Sequence, residues 1–230
     1  GIDTDAPYVR PSRTLAGDDL LALYNRLRAH MIPVDGMPQH VREFARQWQE
    51  WKDANDFMDF TDLLETAYRD LAQAPGDPRI GFLDEAQDCT KLQLVLWRKW
   101  AQEMDFTILA GDADQCVYSF IGATPSAFLT PPVPPENARV LGQSYRIPKA
   151  IHRTAKIWIE QCSSREPIDY KPRDAEGSVT YLPVPYTRPE LLVQDMAPFI
   201  QQGQDIMVLA SCAYMLRPLI AELRAQGLLF

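Results

Sequence analysis

The chain has 230 residues, of which 46% are hydrophobic and 23% charged, a globular composition that allows one core or two small ones. Its formal net charge of -8 argues against an overall basic nucleic-acid-binding surface, because phosphate contacts need clustered Lys and Arg. The Cys form no CxxC pair and the His show no metal-ligand spacing, which favours reduced thiols over a metal site. No apolar run approaches a membrane span, so a soluble, cytoplasmic protein is predicted. Arg outnumbers Lys, which is typical of a GC-rich bacterial or phage genome.

The opening third of the chain is predicted to be helical. Residues 1–12 show no clear period and are expected to form a loop. Apolar residues then recur at helical spacing in three stretches, around residues 18–27, 41–51 and 61–72.

After a turn signal at residues 74–78, the pattern changes to alternating strands and helices. Short apolar runs at residues 80–83 and 106–110 are predicted to be buried strands on either side of a helix at 92–100, which indicates a parallel α/β unit. Residues 125–135 are a proline-rich surface connection, and the polar stretch 163–177 is the best candidate for a domain boundary. Further strands are predicted at residues 139–141, 178–184 and 206–210, and further helices at 147–161, 189–201 and 214–226.

Asp84 and Glu85 follow directly on the first predicted strand, within the string Asp-Glu-Ala-Gln-Asp at residues 84–88. Ligands bind at the carboxyl ends of the strands in an open parallel sheet. Carboxylates there suit a nucleotide-bound Mg²⁺, and a neighbouring Glu can deprotonate a water that attacks a γ-phosphate. The competing interpretation is an acidic first turn of the next helix, which the helix dipole favours.

A second polar string, residues 111–123, follows the second predicted strand. Gly111 permits a tight exit from the sheet. Its polar side chains, expected beside the same edge of the sheet, are Asp112, Asp114 and Gln115. Its aromatic side chains, which can stack on unpaired bases, are Tyr118 and Phe120. Alone, Phe120 is equally well explained as a core aromatic.

A third string, residues 141–146, ends in Tyr145 and Arg146. An Arg close to a nucleotide edge can neutralise charge on the γ-phosphate, and a Tyr beside it can stack on a base. Taken alone, the string is a weak signal, and a surface Tyr-Arg pair is the default interpretation.

In this order and spacing, the three strings resemble motifs II, III and IV of superfamily 1 DNA helicases of the UvrD/Rep/PcrA kind. Residues 59–64 (Asp-Phe-Thr-Asp-Leu-Leu) also resemble the DF-x-DLL stretch ahead of motif II, and residues 205–209 resemble the start of the second motor domain. The resemblance implies an α/β fold with an incomplete RecA-like parallel sheet of the P-loop NTPase type. It implies three parts: a helical 1B-like insertion at residues 1–56, part of the first motor domain at 57–162, and the start of a second RecA-like domain at 163–230.

The resemblance also implies roles for the matching residues. Asp84 would hold Mg²⁺, Glu85 would activate the attacking water, and Gln115 would sense the γ-phosphate. Arg146 would contact the γ-phosphate and Tyr145 would pack on the adenine. The other implied contacts are to single-stranded DNA or to the nucleotide: Tyr118 and Phe120 for DNA, and Gln87, Asp88, Asp112 and Asp114 for the nucleotide. ATP and Mg²⁺ are the implied cofactors, and single-stranded or partly duplex DNA is the implied partner.

The sequence also departs from this family. The phosphate-binding loop GxxxxGK[ST] needs a Gly followed by Lys, and none of the 11 Gly is followed by Lys. Motifs V and VI are missing, and Ser211 and Cys212 stand where relatives often carry an Arg. The chain is therefore expected to be an internal fragment of an ATP-dependent helicase, inactive alone, whose partners include the missing N- and C-terminal parts of the motor. The edge of its incomplete sheet is expected to promote self-association.

Three alternatives stay open on the sequence. The string Asp-Glu-Ala-Gln resembles the DEAD box of RNA helicases, although Gly-Asp-Ala-Asp-Gln stands where that family carries Ser-Ala-Thr. A helicase-like module without a phosphate loop would be a non-catalytic binding or regulatory scaffold. An α/β domain of unrelated role would explain the first string but not the ordered set.

Overall fold

A computed structural model describes residues 16–162 and 168–228. The described residues form two compact units: 16–147, 155–162 and 168–173 in the first, and 148–154 and 174–228 in the second. The loop predicted at residues 1–12 lies outside the described residues, and the division into three domains stays a prediction.

The first unit opens with the three predicted helices, which are confirmed as α1 (Ala16–Ala29), α2 (Gln39–Ala54) and α3 (Phe60–Asp70). Helices α1 and α2 pack around a core of four buried side chains: Tyr24, Met37, Val41 and Ala45. Aromatic rings continue this core along α2, because Trp48 stacks on Phe44 with centroids 6.4 Å apart and on Trp51 at 5.0 Å. The apolar helical stripes in the sequence therefore correspond to packed faces.

A buried ionic cluster joins these three helices. Lys52 is 0% exposed, and its Nζ donates to Asp59 at 3.2 Å and to both carboxylate oxygens of Asp62. Arg28 is 4% exposed and donates to Asp59, Asp62 and Glu65 at distances from 2.5 to 3.1 Å. We call these five residues the ionic cluster. Buried charges are tolerated only when they are paired and hydrogen-bonded, which both cations are here.

The same carboxylates begin α3. Asp59 accepts from the Asp62 backbone N–H at 2.9 Å, and Asp62 accepts from the Asp59 N–H at 2.8 Å, which forms a capping box. Burial alone raises the pKa of Asp59, but the Asp62 N–H and the Arg28 charge together lower it to about 2. Asp59 is therefore held as a carboxylate, and the DF-x-DLL stretch anchors α3 to the helices before it.

The predicted parallel α/β unit is confirmed. Strand β1 (Ile80–Leu83) pairs in parallel with β2 (Phe106–Leu109), with Leu83 opposite Leu109, and α4 (Lys91–Ala101) connects them. Three leucines of α4 are buried: Leu92, Leu94 and Leu96. The fold is thus mixed α/β, with a two-stranded parallel sheet among the described residues.

The prediction that both strands are buried is wrong for one face of the sheet. Ile80 and Phe82 are 56% and 68% exposed, and Phe106 and Ile108 are 55% and 40% exposed. Successive side chains on a strand point to opposite faces, and only the other face is half-buried.

The three further predicted strands are also wrong, since residues 139–141, 178–184 and 206–210 run without a strand ladder. Several of their apolar side chains are exposed, including Leu141 at 85% and Leu209 at 83%. An apolar run becomes a strand only where a neighbour completes its hydrogen bonds, and no described segment pairs with these along their length. The proline-rich connection begins with a short helix that the sequence analysis did not predict, α5 (Pro125–Leu129), and is exposed from residue 130 to 135.

The remaining predicted helices are confirmed as α6 (Lys149–Ile159), α7 (Pro189–Gln201) and α8 (Ala213–Ala225). In the second unit, α7 and α8 pack together around Val193, Leu219 and Leu223. Among the described residues, no helix has the length and apolar character needed to cross a bilayer.

We expect the chain to self-associate through the open sheet. Within the described residues β1 and β2 pair only with each other, so each leaves one edge unpaired beside the exposed apolar face. Phe82→Thr should lower the apparent mass in light scattering over a wide concentration range. Met207→Thr, which changes an 82% exposed side chain of the second unit, should not. A monomeric wild-type chain throughout that range would contradict the expectation.

Candidate functional site

The two polar strings leave the sheet side by side. Because β1 and β2 are parallel, residues 84–88 and 111–115 both follow the carboxyl ends of their strands. The backbone ladder continues past the strands, since Ala110 N–H donates to the Leu83 carbonyl at 2.8 Å and Ala86 N–H donates to the Ala110 carbonyl at 2.9 Å. The strings are therefore fixed relative to each other by main-chain hydrogen bonds.

Gln87 connects the two strings through its side chain. It is 1% exposed; its Nε2 donates to Glu85 Oε2 at 2.7 Å, and its Oε1 accepts from the Asp112 backbone N–H at 2.9 Å. Gly111 makes this approach possible, because a Cβ there would lie 2.6 Å from Gln87 Oε1 and 3.2 Å from the backbone nitrogens of Ala86 and Gln87. The close passage of the two strings therefore depends on a residue without a side chain.

Asp84 and Glu85 present exposed carboxylates at this edge. Asp84 Oδ1 accepts from the Glu85 backbone N–H at 2.9 Å. Glu85 has φ 51°, in the left-handed region that residues other than Gly seldom occupy and that is over-represented at functional sites. The Gln87 amide holds one Glu85 oxygen, so this carboxylate is positioned, and none of the described hydrogen bonds involves its other oxygen.

Asp88 is half-buried, whereas Asp84 and Glu85 are exposed. Its Oδ1 is buried with no hydrogen-bond partner among the described residues, although its backbone N–H donates to the Glu85 carbonyl at 3.0 Å. Burial, together with the Asp88 charge, raises the pKa of the Cys89 thiol. A buried carboxylate oxygen without a donor indicates a site that a cation or a further donor completes.

The residues fit a magnesium ion only when it is bound together with a phosphate-bearing ligand. The described residues contain no group of three or more His, Cys, Asp or Glu side chains arranged to hold a metal. Mg²⁺ commonly takes one or two carboxylates and completes its octahedron with water and phosphate oxygens. The exposed carboxylate of Asp84 meets that requirement.

Asp112 organises the second string. Its carboxylate accepts from the Asp114 backbone N–H at 3.0 Å and from Gln115 Nε2 at 2.6 Å. Gln115 is exposed and Asp114 half-buried, so the string places an amide next to a carboxylate at the edge shared with Glu85.

Two exposed aromatic rings follow. Tyr118 and Phe120 are 43% and 67% exposed, with centroids 5.8 Å apart and planes tilted by 46°. Their turn ends at Gly122, which has φ 102° and passes so close to α1 that a Cβ would lie 2.9 Å from the Ala29 Cβ. Ala123 forms a bridge with Thr90, the residue that caps α4. The rings are thus displayed on a turn held from two sides, which excludes the core interpretation of Phe120.

The third string lies on a separate turn built around Ser144. Ser144 is 4% exposed; its Oγ accepts from the backbone N–H groups of Arg146 and Ile147 at 3.2 and 2.9 Å, and its own N–H donates to the Lys171 carbonyl at 2.8 Å. Tyr145 is 88% exposed and Arg146 is exposed as well. Among the described hydrogen bonds and ion pairs, none joins these two side chains to the other strings, so their predicted roles stay predictions.

Sequence reasoning missed two side-chain networks of the first unit. The first is the double hydrogen bond of Gln87, which the sequence shows only as a polar residue. The second is the ionic cluster, for which a signal existed, because Lys52 falls on the apolar stripe of α2 four residues after Trp48. The capping pair Thr90 and Gln93 also matches a sequence pattern for a helix start.

Comparison with known families bears on the first two strings. Residues 33–132 match the family model for the UvrD/REP helicase N-terminal domain, a segment that covers both strings and the DF-x-DLL stretch. This segment is similar to the N-terminal domain of UvrD/REP helicases. A comparison with curated proteins gave no match.

The match confirms the predicted resemblance to UvrD/Rep helicases and favours it over the RNA-helicase alternative. The matched UvrD/REP segment covers less than half of the chain and ends before the third string. The motif IV resemblance at 141–146 and the second motor domain at 163–230 therefore stay predictions.

Proposed function

We propose that this chain forms part of an ATP-dependent DNA helicase or translocase, in which ATP hydrolysis drives movement along single-stranded DNA. The observation that carries the proposal is the Gln87 link. It fixes Glu85 of the first string against Asp112 of the second at the carboxyl edge of a parallel sheet. The match of residues 33–132 to a helicase N-terminal domain supports the same conclusion.

Within this proposal the exposed acidic residues serve a bound nucleotide. Asp84 would hold Mg²⁺, which in turn neutralises charge on the phosphates of ATP. Glu85, with one oxygen held by Gln87, would orient and deprotonate the attacking water. Gln115, bound to Asp112, would report the state of the γ-phosphate to the aromatic turn that follows it.

The aromatic turn supports the DNA part of the proposal. Base stacking on an aromatic ring contributes about 1–3 kcal/mol per base and tolerates any sequence. Tyr118 and Phe120 offer exposed rings on a fixed turn a few residues beyond Gln115. The same proposal includes a RecA-like sheet with further strands. It also includes Tyr145 packing on the adenine and Arg146 contacting the γ-phosphate.

A second candidate function is a non-catalytic helicase-like binding or regulatory module. The observation in its favour is the sequence itself, in which no Gly is followed by Lys, so the phosphate-binding loop is not among these residues. For the same reason we propose that the 230-residue chain does not hydrolyse ATP by itself.

The decisive experiment is ATP hydrolysis with and without single-stranded DNA, run on this chain and on the full-length gene product that contains it. We expect the full-length protein to hydrolyse ATP and the 230-residue chain not to. In the full-length protein, Glu85→Gln should lower kcat at least about 100-fold, since general-base catalysis contributes about 10²–10⁴-fold. Glu103→Gln removes an exposed carboxylate after α4 and should leave kcat unchanged. An inert full-length protein would favour the binding module, and an active Glu85→Gln variant would refute the role of Glu85.

A further inference from the structure

A basic cleft lies in the first unit at the C-terminal ends of α3 and α4. Its volume is about 650 Å³, large enough for a few residues of a peptide. Its walls carry three cations and three apolar or aromatic side chains: Arg69, Arg98 and Lys99, with Tyr68, Val95 and Pro131. In a chain with a net charge of -8, this concentration of positive charge is a local exception.

Two of the cations are held in place by backbone carbonyls. Arg98 Nη2 donates to the backbone carbonyls of Ala127 and Phe128 at 3.1 and 3.0 Å, and Lys99 Nζ donates to the Tyr68 carbonyl at 2.5 Å. Within the described residues neither forms an ion pair with a carboxylate. Burial lowers the pKa of Arg98. Carbonyls at a helix end carry only about half a unit of negative charge in total, so the cleft keeps a net positive charge.

The third cation already pairs with a carboxylate. Arg69 Nε and Nη2 donate to the two carboxylate oxygens of its sequence neighbour Asp70 at 2.6 and 2.9 Å. Both side chains are at least half exposed, so water screens the pair and an incoming carboxylate can compete with Asp70 for the guanidinium. A planar guanidinium beside two fixed cations favours bidentate recognition of a carboxylate or phosphate.

The walls distinguish an acidic peptide from a nucleic acid. Lys99 Nζ lies 5.3 Å from the centroid of the Tyr68 ring, so an ammonium already occupies the ring face that a base would stack on. Val95 and Pro131 offer aliphatic surface, which suits apolar side chains. The overall negative charge also disfavours a long polyanion that extends beyond the cleft.

We propose that this cleft binds a short acidic segment of another protein, with carboxylates on Arg69, Arg98 and Lys99 and apolar side chains against Val95 and Pro131. Arg98 is seven residues beyond Lys91, so it lies about 10 Å along α4 from the start of that helix. The proposal stands independently of the helicase assignment, and binding is measured without ATP or DNA.

The test uses fluorescence anisotropy with a short labelled peptide of alternating Asp and Leu, and the same peptide with Asn in place of Asp. We expect the acidic peptide to bind at least about tenfold more tightly, because charge-assisted hydrogen bonds are about twice as strong as neutral ones. Arg69→Glu should weaken binding of the acidic peptide at least about fivefold, since it reverses a charge and leaves the backbone hydrogen bonds of Arg98 and Lys99 in place. Arg46→Glu reverses an equally exposed, ion-paired Arg on α2 and should change affinity less than about twofold.

Three outcomes would overturn the proposal. The first is that the acidic peptide does not bind. The second is that Arg69→Glu and Arg46→Glu lower the affinity for the peptide equally. The third is that oligothymidylate binds more tightly than the peptide and that Arg69→Glu weakens its binding. The last result would assign the cleft to nucleic acid. Among the described hydrogen bonds and ion pairs, the Arg69 side chain is bound only to the exposed Asp70. Unchanged circular dichroism is therefore expected for its variant, and a loss of binding reports on the cleft.

Discussion

Replacing Lys52 with methionine should destabilise the first unit by about 3–5 kcal/mol, the usual cost of removing one partner from a buried ion pair. Methionine fills a similar volume, but it leaves the half-buried carboxylates of Asp59 and Asp62 with Arg28 as their remaining cation. The chain's five Trp all lie in residues assigned to the first unit, so denaturant unfolding followed by tryptophan fluorescence reports on this unit.

Arg46→Met is the matched control for this experiment. Arg46 also lies on α2 and pairs with a carboxylate, Glu50, but both side chains are 62% exposed. Its free energy of unfolding should stay within about 0.5 kcal/mol of wild type. Equal effects of Lys52→Met and Arg46→Met would show that the ionic cluster does not stabilise the first unit.

Gly111→Ala should lower the free energy of unfolding by about 1–3 kcal/mol, as is typical of overpacking a filled site. The new methyl group would lie 2.6 Å from Gln87 Oε1, so the Gln87 side chain or the Asp112 string must shift. In the full-length protein we also expect a lower kcat for ATP hydrolysis, since that shift displaces Glu85 from its hydrogen bond to Gln87.

Gly17→Ala supplies the comparison. Gly17 lies in α1, and a Cβ there would meet nothing within 4 Å. Alanine is the better helix former by up to about 1 kcal/mol, so this variant should be as stable as wild type or more so. A Gly111→Ala variant with unchanged stability and unchanged kcat would contradict this prediction, because it would show that neither depends on the close approach of Gly111 to Gln87.

The local elements of this fold follow from the sequence to a large extent. Helical periodicity predicted α1 to α4, and the apolar runs at 80–83 and 106–110 predicted the paired strands. Placement of the acidic and amide residues after those strands predicted that residues 84–88 and 111–115 share one edge, which the hydrogen bonds of Gln87 show. These features are determined by residues close together in the chain, so the local sequence pattern is enough to predict them.

The failures concern partners that are distant along the chain. The run at 206–210 is as apolar as β2, yet it forms no ladder, because strand formation depends on a neighbour as well as on composition. The burial of Lys52 required knowledge of where Asp59 and Asp62 would lie. The third string shows the same limit, since the position of Tyr145 and Arg146 relative to the edge depends on contacts that spacing does not specify.

The ionic cluster also restricts how this protein can diverge. Each cation contacts at least two carboxylates and Asp59 contacts both cations, so a neutral replacement at one position leaves unpaired charge at another. Replacing a whole buried cluster with apolar residues is often harmless, whereas partial replacement is costly. Among related sequences, positions 28, 52, 59 and 62 should therefore be exchanged together or kept together, and an alignment would show them as a covarying set.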